Sequence, residues 1–301
     1  YVDTENYTYG QLFNETNART GGIQCDVDVF DKANDPEAFR AMFTIRGKAL
    51  YPQMDFLFQM MEEILNTSKI TDTKRLYEII AEIKSRGQAS LIGSGHQTAV
   101  LRGASYGSPM ARFQDEMAGV GYYKFIEDLE KNFQDKKAEI VAGLENAMAE
   151  IIRRDSFMVS YTGERESVEQ LKALSSSLKK SLKESSCQVP EVAITCGKKN
   201  EGFKTSGQVQ YVARTGNFVK KGFTYTGALE ILKVALSYDY LWINLRVKGG
   251  AYGCMSGCKG SGESFFVSYR DPHLRRTIVV YEVVPAFVRT FAEDEREMTK
   301  Y

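Results

Sequence analysis

A chain of 301 residues exceeds what a single hydrophobic core usually holds, so its length favours about two domains. Its 39 lysines and arginines balance its 39 aspartates and glutamates, so charge gives no reason to expect nucleic acid or a membrane as a partner. The sequence has no apolar run of transmembrane length and no signal-peptide pattern, and it starts without Met, so we expect that it was cut from a longer chain.

Hydrophobic periodicity predicts alternating helices and strands in the first part of the chain. Residues 23–29 and 39–47 are typical of strands, and 156–163 is a third strand candidate. Gly87 is a predicted helix stop, and the Gly- and Ser-rich stretch 90–121 gives no clear pattern. The predicted helices are 7–18, a helix after Pro52, 71–87, 123–153 and 167–182.

A polar segment, 184–190, is the predicted domain boundary. Beyond it we predict a long helix over 227–246 and a second helix that starts at Asp271-Pro272, with Asp as its cap and a kink at Pro285. The predicted strands of this part are 191–196, 208–214, 251–258 and 264–270.

The two parts repeat one order of elements: helix, Gly-Gly, strand, polar turn, strand and a helix that follows a proline. Gly22 matches Gly250 at an offset of 228 (250 − 22), and Arg46 matches Arg270 at 224 (270 − 46). The difference is a loop length, which folds tolerate well. We therefore predict an α+β fold of two homologous domains, 1–187 and 188–301, the first truncated at its start and the second at its end.

The Gly-Gly joint at Gly249 and Gly250 has two interpretations. A phosphate-binding loop needs clustered backbone N–H groups at the start of a helix, usually after a strand. Here a helix precedes the glycines and a strand follows them, which favours a helix stop with positive φ. A phosphate or nucleotide site stays an open, less favoured alternative.

Two residues beside this joint are candidates for a functional site. Arg246 lies just before the glycines and Tyr252 just after them, whereas the first copy has Ala18 and Gln24 at the matching positions. An arginine at a helix end can simply cap carbonyl groups, and a tyrosine at a strand start can simply pack. The physical pattern alone does not decide between a functional Arg–Tyr pair and these two structural roles.

The segments 245–253 (LRVKGGAYG) and 264–272 (SFFVSYRDP) resemble the C-terminal half of insulinase/pitrilysin zinc metallopeptidases, most closely the presequence protease subfamily. The segments 14–23 and 123–163 are also similar. The resemblance implies four homologous α+β domains in two halves that close around a peptide chamber. This chain would hold most of the third domain and the first part of the fourth.

In that family the N-terminal half carries the HxxEH zinc motif, and an Arg and a Tyr of the C-terminal half reach the substrate. By resemblance these are Arg246 and Tyr252. A phenol can hydrogen-bond the scissile carbonyl and its oxyanion, and a guanidinium can hold a peptide carbonyl. Gly249 and Gly250 form the structural joint.

We assign no metal ligand to this chain. Its two histidines, His96 and His273, lie outside any HxxEH motif; we expect His96 at the surface or in helix packing and His273 in solvent. Asp26 and Asp28 share one strand face, where solvated acids are commoner than a metal pair.

The five cysteines are scattered apart from Cys254 and Cys258, which favours a reducing compartment such as a bacterial cytoplasm or an organelle matrix. The CxxxC spacing of this pair could hint at metal. A zinc site needs about four ligands, however, and no partner pair is evident. We therefore interpret both as small apolar residues in or beside a strand.

The sequence thus predicts the non-catalytic C-terminal half of a zinc endopeptidase that degrades short unfolded peptides. Zinc would be bound by the missing N-terminal half of the same polypeptide, and this chain alone would be inactive. Its partners would be that half and an unstructured peptide, with no nucleic acid and no membrane. The alternative is a metal-free scaffold or peptide-binding subunit of the same family.

Overall fold

The structure is a computed structural model that describes residues 1–32, 35–184 and 193–300. It is mixed helix and sheet, as predicted. The α-helices are α1 (Tyr9–Arg19), α2 (Met54–Thr67), α3 (Thr73–Gly93), α4 (Gly95–Ala104), α5 (Pro109–Ala118), α6 (Val120–Lys131), α7 (Phe133–Ile151), α8 (Val168–Ser181), α9 (Ala228–Ala235), α10 (Arg275–Glu293) and α11 (Glu295–Met298), with a π-helix over Leu236–Val247. The strands are β1 (Ile23–Lys32), β2 (Asp35–Gly47), β3 (Ala213–Asn217), β4 (Gly253–Cys258) and β5 (Glu263–Tyr269).

The chain divides into two compact units that interleave along the sequence. One comprises 1–28, 41–84 and 126–192, and the other comprises 29–40, 85–125 and 193–301. This division differs from a single cut after residue 187, because α4 packs against β3 and β5. The assignment of 1–187 and 188–301 to two family domains stays a prediction.

The first unit is built around α2. This helix begins after a 3₁₀ turn that contains Pro52, and its apolar face is buried between α1 and α8. The periodic apolar positions of the sequence therefore identify the face correctly. Two hydrophobic clusters form around this helix, and their buried side chains are Leu12, Phe56 and Met60 in one and Leu57, Met61 and Leu178 in the other.

The second unit contains a three-stranded antiparallel sheet in the order β3-β5-β4. Phe266 on β5 contacts the core formed by the π-helix and α10, where Tyr281 is buried. Phe265 and Val267, which alternate with Phe266 along the strand, line a cavity of about 260 Å³ together with side chains of α4. Because side chains alternate across a strand, the two faces of this sheet carry different helices.

Several sequence predictions were wrong in detail. Gly87 does not stop α3, which continues to Gly93. A Cβ atom at Gly87 would lie 3.1 Å from the Tyr123 ring, so this glycine permits a close approach of α6. The predicted helix 123–153 is interrupted at Asn132, between α6 and α7. The unclear stretch 90–121 forms helices.

Strand predictions near the domain boundary also differ from the structure. Residues 156–163 form no strand, and the predicted strand 208–214 lies further along the chain as β3. The predicted strand 191–196 and the linker 184–190 lie partly outside the described residues, and 193–196 are not in a strand. These short apolar runs favour a strand only where a partner strand is in register.

The helix start at Asp271-Pro272 was misplaced by a few residues, because α10 begins at Arg275. Asp271 is buried and accepts hydrogen bonds from the His273 backbone N–H at 2.8 Å and from the Thr277 hydroxyl at 2.6 Å. Asp271 thus lies before the helix and holds the segment that leads into α10 through these two hydrogen bonds. Pro285 lies inside α10.

Candidate functional site

The Gly-Gly joint lies between a helix and a strand in both copies, but its hydrogen bonds differ, since α1 ends at an extended Thr20 and the Gly21 N–H donates to the Lys48 carbonyl at 2.6 Å. The second glycine has positive φ in each, +99° at Gly22 and +79° at Gly250, and each lies between a helix and a strand. The Gly250 N–H donates to the Arg246 carbonyl at 2.9 Å, and the Ala251 N–H donates to the Leu245 carbonyl at 2.9 Å. The predicted helix stop is confirmed at Gly249 and Gly250, where these two amides are not available to a phosphate, whereas in the first copy α1 already ends before Gly21 and Gly22.

Gly249 is required for a different reason, the close approach of the helix end. A Cβ atom at this position would lie 2.4 Å from the Leu245 carbonyl oxygen and 2.9 Å from that of Asn244. Both atoms belong to the backbone, so they cannot rotate away as a flexible side chain could. The two glycines thus fix the direction in which the chain leaves the helix.

We expect Gly249→Ala to lower the free energy of unfolding by about 2 kcal/mol or more, because the native backbone has no room for the methyl group. Gly143→Ala is the matched control: Gly143 lies inside α7 with nothing within 4 Å of an added Cβ. That change should stabilise the protein by about 0.5–1 kcal/mol. Urea denaturation of the two variants measures both effects, and equal stabilities would contradict the account.

The helix before the joint differs most from the sequence prediction. The predicted helix 227–246 divides into α9 and a π-helix over Leu236–Val247. The Lys248 N–H continues the wider pattern by donating to the Ile243 carbonyl at 2.9 Å. Leu241 and Leu245 are buried in the core below. π-Helical segments are rare and frequently lie at functional sites.

Arg246 lies in the last turn of the π-helix and is engaged within the chain. Its Nη1 donates to the Tyr252 backbone carbonyl at 2.7 Å. Its guanidinium carbon lies 4.2 Å from the centre of the Trp242 ring and 5.4 Å from that of Tyr252. The structure therefore brings the two predicted site residues together, and it adds Trp242, which the sequence pattern indicates only as part of an apolar helix.

Tyr252 is held by its backbone and leaves its ring accessible. Its N–H donates to the Tyr269 carbonyl at 3.0 Å, and the two rings meet edge to face with centres 6.0 Å apart. Its exposed fraction is 64%. No hydrogen-bond partner holds the Tyr252 hydroxyl within the part of the chain that the structure describes. A fixed backbone with an accessible phenol can present a hydrogen-bond donor to a ligand.

Arg270, matched to Arg46 by the repeat, follows β5. Among the non-glycine residues that the structure describes, it alone has a positive φ, of +49°. Its guanidinium carbon lies 5.5 Å from the centre of the Tyr269 ring. Arg46 instead pairs with Asp28. The two matched arginines thus have different surroundings, and that of Arg270 adjoins the ring contacts of Tyr252.

His96 is in helix packing, one of its two predicted locations. Its ring meets Tyr269 edge to face at 4.8 Å, and its Nδ1 is buried without a hydrogen-bond partner among the described residues. Burial lowers the pKa of His96. His273 is exposed, as predicted.

The lowered pKa of His96 predicts a pH effect on stability. Below about pH 6.5 the unfolded chain binds a proton that folded His96 resists, so stability present above that pH is lost as the pH falls. Urea denaturation from pH 7.5 to 5.5 should show a decline that is smaller in His96→Leu. The matched control His273→Gln should keep the full decline, and identical profiles for all three proteins would refute the assignment.

The other candidate ligands have structural surroundings of their own. Asp26 is exposed, and Asp28 accepts hydrogen bonds from Thr44 and Arg46, which lower its pKa. Burial raises the pKa of Cys254 to about 11 and also raises that of Cys258, so both thiols stay protonated at neutral pH. In the described ranges no three His, Cys, Asp or Glu side chains cluster as metal ligands would.

Two protein-family models match the chain. A model for the region associated with M16 peptidases of subfamily C matches residues 1–129, and "PreP C-terminal domain" matches residues 200–301. Among solved structures, the periplasmic protease PqqL from Escherichia coli has a TM-score of 0.54 at 13% sequence identity, over 99% of this chain and 31% of that one. This likeness shows the fold alone, which is a mixed α+β fold.

Curated relatives match over nearly the same length. Protein HypA of Clostridium perfringens is 36% identical over 298 residues, covering 99% of this chain and 30% of that protein. Presequence protease 1 of Arabidopsis thaliana, chloroplastic and mitochondrial, is 26% identical over 308 residues, which are 99% of this chain and 28% of that protein. The mitochondrial presequence protease of Yarrowia lipolytica is 28% identical over 290 residues, which are 92% of this chain and 28% of that protein.

These matches define the class of protein. The two family models match residues 1–129 and 200–301, and together with the presequence protease relatives they support the C-terminal half of an M16 presequence-protease-like enzyme. It spans about 30% of the length of the curated relatives that it matches.

Proposed function

We propose that this chain is the non-catalytic C-terminal half of a zinc-dependent endopeptidase that degrades short unfolded peptides in a closed chamber. The observation that carries the proposal is the Arg246–Tyr252 pair: a phenol with 64% exposure, on a backbone that the guanidinium holds at 2.7 Å. The family supports a peptidase as the parent. The substrate class, the chamber and the zinc are the further steps of the proposal.

In the proposed mechanism Tyr252 binds the substrate. Its hydroxyl would donate a hydrogen bond to a peptide carbonyl and a stronger one to the oxyanion that develops on it, which is the differential interaction that accelerates a reaction. Arg246 has guanidinium N–H groups besides the one bonded to Tyr252, and these can hold a second peptide carbonyl. Both residues would act on a substrate whose cleavage is initiated by the other half.

Zinc is assigned by this proposal to the N-terminal half, because among the described residues of this chain no three His, Cys, Asp or Glu side chains lie close enough together to hold a metal ion. His96 packs between tyrosine rings, and His273 is exposed in the segment that precedes α10. Cys254 and Cys258 belong to no cluster of three candidate ligands in the described ranges, whereas a zinc site needs about four ligands. Each step proposed for this chain is therefore a binding or hydrogen-bonding step.

A metal-free scaffold or peptide-docking subunit is the second candidate. Apolar exposure beside the joint favours it, since Val247 is 68% exposed and Trp242 is 39% exposed. Such a surface can bind an unfolded peptide without cleaving it. The same residues would bind peptide in the half-enzyme and in the scaffold, so the two candidates differ only in whether the assembled protein cleaves the peptide.

The compartment follows the same proposal. The free thiols fit a bacterial cytoplasm or an organelle matrix, and the Arabidopsis and Yarrowia relatives are named as organellar. Within the described residues, every helix falls short of the length and apolarity needed to cross a membrane.

The proposal can first be tested on this chain by itself. We expect it to bind no stoichiometric zinc and to leave a quenched fluorescent peptide library uncut, while a labelled unfolded peptide should gain fluorescence anisotropy with it. Tyr252→Ala should weaken that binding. Stoichiometric zinc together with cleavage would show a metal site within this chain and would overturn the half-enzyme proposal.

A further inference from the structure

The aromatic ring of Trp242 lies directly under the arginine of the candidate site. The indole and the guanidinium carbon of Arg246 are 4.2 Å apart, and the same guanidinium reaches the Tyr252 carbonyl at 2.7 Å. We propose that Trp242 is a positioning residue, whose indole face orients Arg246 and through it the backbone of Tyr252. This inference rests on the proposed function and extends it to a residue that the family resemblance does not assign.

Arg246 needs such a support. Its side chain has several rotatable bonds and lies at the exposed end of the π-helix, so without a partner it would sample many rotamers. A flat aromatic face within about 6 Å attracts a guanidinium and leaves its edge N–H groups free for hydrogen bonds. Trp242 offers that face, and the hydrogen bond to Tyr252 uses an edge N–H of the same group.

The internal repeat gives independent support. Both copies keep the Gly-Gly joint with positive φ at the second glycine. The offset of 228 that aligns Gly22 with Gly250 also aligns Trp242, Arg246 and Tyr252 with residues of the first copy. These residues are Asn14, Ala18 and Gln24. The fold of the joint therefore does not require the indole, the guanidinium or the phenol. The three occur together in the copy that carries the candidate site and are replaced together in the other.

The geometry also revises the role of Arg246. A side chain that served only to bind substrate would have no need to hold a carbonyl of its own chain. Here one end of the guanidinium is bonded to the backbone of Tyr252, whose other side is held by the Tyr269 carbonyl at 3.0 Å. Tyr252 is thus fixed from both sides, and its ring position depends on the Trp242–Arg246 contact.

Trp242 is the single tryptophan of the chain, so tryptophan emission reports on the surroundings of this residue, of which the Arg246 guanidinium is part. Arg246→Met keeps an unbranched side chain and removes the cation; it should change the emission intensity or maximum of Trp242 in the absence of any peptide. Arg275→Met, at the start of α10, is the control and should leave the spectrum unchanged. Identical spectra for wild type and Arg246→Met would overturn the inference whether or not the assembled enzyme is active.

The second arm uses the enzyme assembled with the N-terminal half. Trp242→Leu should lower kcat about tenfold or more with little change in KM, since a small misplacement of a site residue affects the reaction strongly. Trp242→Phe keeps an aromatic face and should recover most of the loss. An unchanged kcat in Trp242→Leu, or equal losses in both variants, would refute the positioning role. An assembled wild type that cleaves nothing would instead reject the proposed function, and the fluorescence arm would still decide the inference.

Discussion

Tyr252→Phe should lower kcat of the assembled enzyme by about two to three orders of magnitude, the effect of removing one preorganised oxyanion donor. The variant loses only the hydroxyl, because the ring contact with Tyr269 and the backbone bonds to Tyr269 and Arg246 do not involve it. KM should change little, since the hydrogen bond strengthens in the transition state. Steady-state cleavage of a quenched fluorescent peptide measures both constants.

The chain provides a close control for this variant. Tyr238 lies on the same π-helix and is 66% exposed, close to the 64% of Tyr252. Tyr238→Phe should leave kcat within about twofold of wild type, because the contacts that hold Arg246 and Tyr252 involve Trp242 and Tyr269 and not the Tyr238 hydroxyl. A kcat that Tyr252→Phe does not lower would remove the oxyanion role, and equal losses in the two variants would attribute the effect to the loss of any exposed phenol.

Asp115→Ala is expected to give the largest loss of stability, about 3 kcal/mol or more, because it breaks a buried ion pair. Asp115 has no exposed surface, and its Oδ2 accepts from Arg102 at 2.6 Å. It also accepts from the N–H groups of Val120 at 3.0 Å and Gly121 at 3.2 Å, at the start of α6. The variant would therefore also leave backbone donors without this partner, although Glu201 would still pair with Arg102.

The next residue in the sequence is the control. Glu116 pairs with Arg112 on the exposed side of α5, where its side chain is 45% exposed. Glu116→Ala should change the free energy of unfolding by less than about 1 kcal/mol, the range of exposed ion pairs. Urea denaturation of both variants tests the difference. Similar losses would mean that the Arg102–Asp115 pair is not the buried anchor of this region.

Local signals in the sequence were sufficient to predict the Gly-Gly joint and the helix and strand that flank it. The order helix, Gly-Gly, strand was confirmed in both copies: Gly22 and Gly250 have a positive φ, which favours glycine, and Gly249 leaves no room for a Cβ atom. The amphipathic pattern of α2 also identified its buried face. Predictions failed where tertiary contacts decide. The run 156–163 has strand composition and no strand partner, and Gly87 permits packing against Tyr123 instead of ending a helix.

The candidate site was predicted only in part. Arg246 and Tyr252 followed from their absence in the first copy and from the family resemblance, and the structure places them in contact. Trp242 and Tyr269 were missed, because each fits an apolar helix or strand pattern that a core would explain. The signal was present in the repeat, where Asn14 takes the place of Trp242. A period based on an α-helix could not reveal the π-helix that carries both Trp242 and Arg246.

The most direct test of the proposed function is to mix this chain with the N-terminal half of the same polypeptide and to follow cleavage of an unfolded peptide. Each half alone should show no cleavage of the peptide, and the mixture should cleave it at a rate that depends on Tyr252. Cleavage by the N-terminal half at the same rate without this chain, or a silent mixture of two correctly folded halves, would contradict the account and leave the scaffold as the remaining candidate.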